Sequence, residues 1–193
     1  MSKTPYSPYN NTSANFRKRM LYWSGIFTIV LILVMRLLDQ SLVAPGDEVP
    51  DGMVAFELTN NIHDARIMVD MWGEKGRLVA AFSLGIDYLF LISYSVFFGL
   101  IAFIIGKKLN GRSSLLSKPG YVLSWLMILA GVYDSIENFA LIRILTGCQY
   151  SMWATTAYYF ATIKFTIIFI TLAYIVIGSI MIWLTRPSEK QPV

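Results

Sequence analysis

The sequence is poor in the residues from which most recognisable active sites and metal sites are built. It has one cysteine, Cys148, and one histidine, His63, among 193 residues. A single cysteine excludes an intrachain disulfide, and no paired-cysteine motif, glycine-rich phosphate loop or nucleic-acid signature is present. His63, next to Asp64, would act as a pH sensor or metal ligand, or would simply be solvated. We therefore expect no cofactor, no metal and no nucleic-acid partner.

Charge is also scarce. Only 15% of the residues are charged and 55% are hydrophobic, whereas soluble domains carry about 25% charged residues. The deficit falls in four runs that are long enough to cross a bilayer as helices. We predict an all-α polytopic membrane protein, a four-transmembrane-helix bundle that occupies residues 21–184. Its spans are residues 21–38, 78–105, 119–146 and 153–184.

The remaining charges are distributed unevenly between the connections. The N-terminal tail (1–20), the 106–118 loop and the C-terminal tail (185–193) are basic, whereas the long 39–77 loop is acidic. Positively charged loops stay on the cytoplasmic side of a membrane. We therefore expect both tails in the cytoplasm, the first of them poorly ordered, and the 39–77 loop on the outer side.

The long outer loop divides into two parts. Pro45, Gly46, Pro50 and Gly52 argue against regular structure in the first part. In the second part, residues 61–72 show apolar side chains at helical spacing, with Asn60 or Asn61 as N-cap and Gly73 as terminator. This pattern predicts a short amphipathic helix on the bilayer or across the mouth of the bundle. The apolar residues at this spacing are Ile62, Ala65, Val69 and Trp72.

Four charged side chains and an amide lie inside the apolar runs, where they are costly. Asp134, Glu137 and Asn138 share one face of the third span, because they are at positions i, i+3 and i+4. At 1.5 Å per residue, the four charges lie roughly 13–18 Å below the outer surface. They are therefore expected to face one another at one depth. The predicted cluster consists of Asp87, Tyr94, Asp134, Glu137, Asn138 and Lys164.

Two interpretations of this cluster remain open. A buried ion-pair network would fix the register of the helices. Alternatively, three acids against the single base Lys164 would leave at least one carboxyl protonated or bound to a cation, which would make the cluster a ligand or proton site. A metal held by Asp134, Glu137 and Asp87 is disfavoured, because no intramembrane histidine or cysteine accompanies them. We assign no catalytic residue.

Several segments resemble a family of small bacterial four-helix integral membrane proteins to which no reaction is assigned. The resemblance runs from about residue 56 to residue 178. It implies the same fold and topology and a location in the bacterial inner membrane. It rests on Phe56-Glu57-Leu58, Asp64-Ala65-Arg66, Trp72-Gly73, Leu84-Gly85-Ile86-Asp87-Tyr88-Leu89-Phe90-Leu91, Asp134-Ser135-Ile136-Glu137-Asn138-Phe139-Ala140-Leu141 and Lys164-Phe165.

Three functions are compatible with these patterns. The first is a bundle that binds or transports a small molecule, a cation or a proton through the charged cluster, with the loop helix as a cap. The second is a structural or accessory subunit of a larger membrane complex, docked through the 61–72 helix. The third is an intramembrane enzyme that acts on a lipid-like substrate with Glu137 or Asp134 as acid or base. The lipid bilayer is a partner in all three.

Overall fold

The computed structural model describes residues 6–42, 52–110 and 114–185, and all regular structure in these ranges is helical. Four of the helices are long and apolar enough to cross a membrane, which confirms the predicted all-α four-helix bundle. Two short helices lie between the first and second long ones. The six helices are α1 (Ala14–Asp39), α2 (Gly52–Glu57), α3 (Ile62–Met71), α4 (Gly73–Leu109), α5 (Ser114–Leu145) and α6 (Ser151–Leu184).

The four long helices run alternately up and down. Consecutive long helices contact each other, and α4 also contacts α6, so α4, α5 and α6 form a three-helix core. Helix α1 packs on the outside of this core against α4, where Thr28 Oγ1 donates a 3.2 Å hydrogen bond to Ser93 Oγ. We call the end of the bundle that carries α2 and α3 the loop end. The opposite end, where α1 begins and α6 ends, is the tail end.

The predicted spans agree with the long helices, which extend beyond them at most ends. Helix α1 begins seven residues before the predicted span at residue 21, and α4 begins five residues before the predicted start at residue 78. These extra turns are polar, and therefore a hydropathy criterion does not detect them. The predicted 61–72 helix is α3, with Asn61 as its N-cap. Gly73, at φ +62°, separates α3 from α4.

Helix α2 was not predicted. The expectation of irregular structure in the first part of the long loop falls largely on residues 43–51, outside the described residues, but residues 52–57 are helical. The Asp39 carboxylate at the end of α1 accepts a 2.8 Å hydrogen bond from the backbone N–H of Met53. Gly52 has φ +85°, and a Cβ there would lie 2.8 Å from Asp39 Oδ1. This contact fixes the start of α2 against α1.

Helices α2 and α3 close the loop end of the core. Phe56 is fully buried and packs edge-on against Trp72, whose indole N–H donates to the Leu42 carbonyl oxygen at 3.1 Å. Ala65 and Val69, on the apolar face of α3, belong to the same buried cluster as residues of α5 and α6. The apolar face of α3 is therefore turned toward the bundle.

The N-terminal segment differs from the predicted tail. Ser7 and Tyr9 are buried, and Ser7 Oγ is hydrogen-bonded to Ser124 Oγ of α5 at 2.8 Å. The Trp125 indole N–H donates to the carbonyl oxygen of Tyr6. The expectation of poor order over residues 1–20 is therefore wrong for residues 6–20. The segment before α1 packs against the part of the core that lies near the tail end.

Candidate functional site

The centre of the site is the ammonium group of Lys164, in the middle of α6. Its Nζ lies 2.8 Å from Asp134 Oδ1 and 2.9 Å from Glu137 Oε1, both on the inward face of α5. Asp134 and Glu137 are one helical turn apart, so their carboxylates reach the same point from one side. The surrounding stripe of α6 has the small residues Ala157 and Thr171, both fully buried, which lets α5 approach closely.

Asp134 connects the lysine to α4. Its Oδ2 accepts a 2.9 Å hydrogen bond from the Tyr94 hydroxyl, while its Oδ1 pairs with Lys164. Tyr94 is 1% exposed and Asp134 is 1% exposed. A buried carboxylate that receives one ionic and one hydroxyl hydrogen bond has a fixed orientation. Tyr94 therefore holds the Asp134 carboxylate in its orientation toward Lys164.

The short helix α2 supplies a carboxylate that sequence reasoning missed. Glu57 Oε2 lies 3.3 Å from Lys164 Nζ, and because Glu137 pairs with the same ammonium group, the Glu57 and Glu137 carboxyls are neighbours. Burial raises the pKa of Glu57 above its ordinary value, and the positive charge of Lys164 only partly offsets this rise. Glu57 is the last residue of α2. A helix outside the membrane-spanning segments therefore reaches the centre of the site.

A second polar pair lies beside the lysine on the α4–α5 interface. The Asn138 side-chain amide donates a hydrogen bond to Asp87 Oδ2. Asp87 is buried but is not ion-paired with Lys164. Tyr88, the next residue, donates to the Ser135 carbonyl oxygen at 3.3 Å. Asp87 thus depends on one amide for the hydrogen bonding of its carboxylate.

The site has more hydrogen-bond acceptors than donors. Asn138 Oδ1 has no hydrogen-bond partner, although the residue is fully buried. Glu137 Oε2 lies 2.9 Å from Lys164 Nζ, but it accepts no hydrogen bond. Unpaired buried acceptors are costly, and a proton or a donor molecule would remove the cost. The arrangement therefore favours the uptake of a proton or of another hydrogen-bond donor.

The formal charges lead to the same conclusion. Four buried carboxyl groups, those of Glu57, Asp87, Asp134 and Glu137, surround one ammonium group. Full ionisation would leave three uncompensated negative charges in a site shielded from water, which is prohibitively costly. Close carboxyl pairs resolve such repulsion by sharing protons. The site is therefore chemically suited to hold and exchange protons.

The structure brings the six predicted site residues together, but the contacts described above form two groups. Tyr94, Asp134, Glu137 and Lys164 are linked to one another, and Asp87 and Asn138 form a neighbouring pair. Surface grooves lie elsewhere, along α4, along the start of α5 and at the loop end. None of these four grooves is lined by a member of the network.

The other candidates of the sequence lie outside the network. His63 is exposed at the start of α3, where its backbone N–H bonds to the Asn61 side chain. Cys148 is a partly exposed free thiol after α5. Within residues 6–42, 52–110 and 114–185, no set of three or more histidine, cysteine or acidic side chains is arranged to hold a metal ion. Between Asp134 and Glu137 the Lys164 ammonium occupies the position that a cation would need.

Comparison with known proteins adds no assignment of family or function. No protein-family model, curated protein or solved structure gives a match to this chain. A fold class by itself does not determine function, and function must be argued from the site.

Proposed function

We propose that this protein is a proton-binding membrane bundle, in which the carboxyl–lysine network holds and releases protons as part of the movement of a proton or a small cation. One observation carries the proposal: three buried carboxyl groups contact a single lysine and a fourth, that of Asp87, lies beside them, so the network would have to carry protons to be stable. Glu137 Oε2, which lies beside the Lys164 ammonium group but accepts no hydrogen bond, supports it, because a proton shared with Glu57 would satisfy that atom.

Helix α2 would control access to this network. Glu57 is the member of the network that lies outside the long helices, and α2 is only six residues long. Its attachments include the hydrogen bond from the backbone N–H of Met53 to Asp39 and the packing of Phe56 on Trp72. Loss of the proton that Glu57 shares with Glu137 would leave two neighbouring carboxylates that repel each other, which would loosen α2. The network would then exchange protons with the side of the membrane that faces the loop end, and the distribution of basic residues favours the outer side.

Infrared spectroscopy of the purified protein tests the proton-binding step. Between about pH 5 and pH 9, the wild type should show a carboxylic-acid carbonyl band that persists at neutral pH. Glu137→Gln should weaken or shift this band, and Glu74→Gln, at an exposed carboxyl of α4, should leave it unchanged. If the wild type shows no protonated carboxyl near pH 7, the proposal fails.

A flux measurement then separates proton exchange from a purely structural network. Liposomes that contain the wild type and a trapped pH dye should dissipate an imposed pH gradient faster than empty liposomes, and Glu57→Gln should change this rate. A protonated carboxyl without any flux would mean that the network only fixes the helices. In that case the structural interpretation holds.

The alternatives lack a specific supporting observation. An uncovered apolar stripe on the 61–72 helix would favour the accessory-subunit hypothesis, but Ala65 and Val69 are buried against the bundle. A partner that binds there would have to use the polar face of α3. The enzyme hypothesis required a lipid-sized cavity beside Asp134 and Glu137, and the four grooves described above lie elsewhere.

A further inference from the structure

A polar cleft at the loop end carries two arginines that the carboxyl–lysine network does not use. Arg66 of α3 and Arg77 of α4 both line the cleft, with Asp70 between them. Arg66 Nη1 donates to the Gly147 carbonyl oxygen at 3.3 Å, and Arg77 Nε donates to that of Val69 at 3.1 Å. A guanidinium has five N–H donors. Arg77 Nη2 is also ion-paired with the Asp70 carboxylate. Both guanidinium groups are therefore held in place, while several of their N–H donors remain for a ligand.

A second, more apolar groove adjoins this cleft. Both are lined by Arg77, Leu145 and Thr146. The second groove continues past Glu74 to Leu78 and Ala81. Leu78 is 68% exposed, and the uncharged run of α4 begins there. The combined groove thus passes from charged residues to lipid-facing residues, which is the position of a membrane–water interface.

The charges along this groove are mixed rather than of one sign. Arg66 and Arg77 provide two guanidinium groups, and Asp70 and Glu74 provide two carboxylates. Arginine binds phosphate oxygens through paired N–H groups, whereas a carboxylate binds a primary ammonium. Asp70 is already ion-paired with Arg77, so a simple anion such as inorganic phosphate would compete with Asp70 for Arg77 and would leave Glu74 without a partner. A headgroup with both charges would bind the remaining N–H donors of the two guanidinium groups and would offer an ammonium group to the carboxylates.

We propose that this groove is a binding site for a phospholipid whose headgroup carries a phosphodiester and a primary ammonium group, as phosphatidylethanolamine does. Arg66 and Arg77 bind the phosphodiester, Asp70 and Glu74 bind the ammonium group, and one acyl chain lies along Leu78 and Ala81. The lipid would join α3, α4 and the end of α5. This site is independent of the proton-binding function.

The test is the thermal unfolding midpoint, Tm, of the detergent-solubilised protein with added lipid. Phosphatidylethanolamine should raise the Tm by roughly 5 °C well above its Kd. Phosphatidylglycerol and phosphatidylcholine with the same acyl chains should raise it clearly less, because neither has a primary ammonium group. Each shift is measured against the lipid-free Tm of the same variant, so a loss of intrinsic stability does not affect it.

Variants of groove residues test whether the lipid-induced rise in Tm comes from this groove. The double variant Arg66→Gln/Arg77→Gln should lose the shift, whereas Lys75→Gln, an exposed cation of α4 that does not line the groove, should keep it. Equal shifts with phosphatidylglycerol, or an undiminished shift in the double variant, would overturn the proposal. An equal shift with inorganic phosphate would show a free-anion site instead of a lipid site and would also overturn it.

Discussion

The half of the bundle nearer the loop end, the loop half, and the half nearer the tail end, the tail half, hold their helices together by different means. In the loop half, long charged side chains of α2, α5 and α6 meet at Lys164. In the tail half, the helices meet backbone to backbone: a Cβ on Gly120 of α5 would lie 2.5 Å from the Ala102 carbonyl oxygen and 2.8 Å from Gly106 Cα of α4. Ser117 Oγ donates to the Gly106 carbonyl oxygen at 2.9 Å.

This difference reflects the absence of a hydrophobic driving force between helices in lipid. Helices there associate through close packing of small residues or through polar contacts. The tail half uses close packing of small residues, which leaves no excess buried charge. The loop half uses polar contacts, which leave four buried acids near one base. Among the described residues, the buried acidic and basic side chains therefore all lie in the loop half, and the energetic cost of burying them is expected to serve function.

The largest expected effect comes from removing the base of the loop half. Lys164→Met would leave Glu57, Asp134 and Glu137 without a counter-charge in a buried site. Breaking a buried ion pair from one side costs about 3–5 kcal/mol, and we expect a loss of unfolding free energy in that range. Denaturant or thermal unfolding in detergent measures it. Lys118→Met, at an exposed lysine near the start of α5, is the control and should change little.

The corresponding change in the tail half is Gly120→Ala. The added methyl group would collide with the backbone of α4, so the two helices must separate, which costs about 1–3 kcal/mol. Gly85→Ala is the matched control, because a Cβ on Gly85 meets nothing within 4 Å. That control should be neutral or stabilising by about 0.5–1 kcal/mol, since alanine favours a helix over glycine. Equal stability of both variants would refute backbone contact in the tail half.

Much of this arrangement could be predicted from the sequence because long helices are rigid and regular. The spacing of Asp134, Glu137 and Asn138 placed them on one face, and the common depth of Asp87 and Lys164 followed from a fixed rise per residue. In a narrow bundle, charged side chains that lie at one depth on the inward faces of different helices must lie close to each other. The six predicted residues accordingly lie together, with four of them in one linked group around Lys164 and with Asp87 and Asn138 as a neighbouring pair.

The contributions of the short segments could not be predicted in the same way. Helix α2 spans fewer than two turns, so it has no measurable periodicity, and Glu57 was counted with the other acids of a solvated loop. The signal that was available is the apolar run Met53-Val54-Ala55-Phe56 directly before it. The packing of Ser7 on Ser124 is equally hard to predict, because a contact between distant polar residues leaves no local pattern.

A smaller effect is expected in the pH dependence of the loop half. Burial raises the pKa of Glu57 above its ordinary value of 4.5. The folded state therefore binds this proton more tightly than the unfolded state does. The contribution of this bound proton to the free energy of unfolding is present in full below about pH 4.5. It is lost as the pH rises through the raised pKa of Glu57. Glu57→Gln should flatten this part of the curve of Tm against pH.

The control for this curve is Glu74→Gln, at an exposed carboxyl of α4, which should keep the slope of the wild type. A wild type whose Tm rises with pH over the same window, with the rise abolished by Glu57→Gln, would mean that Glu57 is held as a carboxylate by Lys164. The proton would then have to reside on another carboxyl of the network.

The smallest effect is expected from Tyr9→Phe in the tail half. The Tyr9 hydroxyl is buried without a hydrogen-bond partner, and burial raises its pKa to about 12. Removing an unsatisfied buried hydroxyl while keeping the ring should leave stability unchanged or raise it by a few tenths of a kcal/mol. The same substitution at Tyr94 deletes the 2.9 Å hydrogen bond to Asp134 and should cost about 1.5 kcal/mol. Thermal unfolding of both variants measures the contrast directly. If Tyr9→Phe is as destabilising as Tyr94→Phe, the tail half depends on a buried polar side chain as strongly as the loop half does, and the division of the bundle into a packed half and a charged half is wrong.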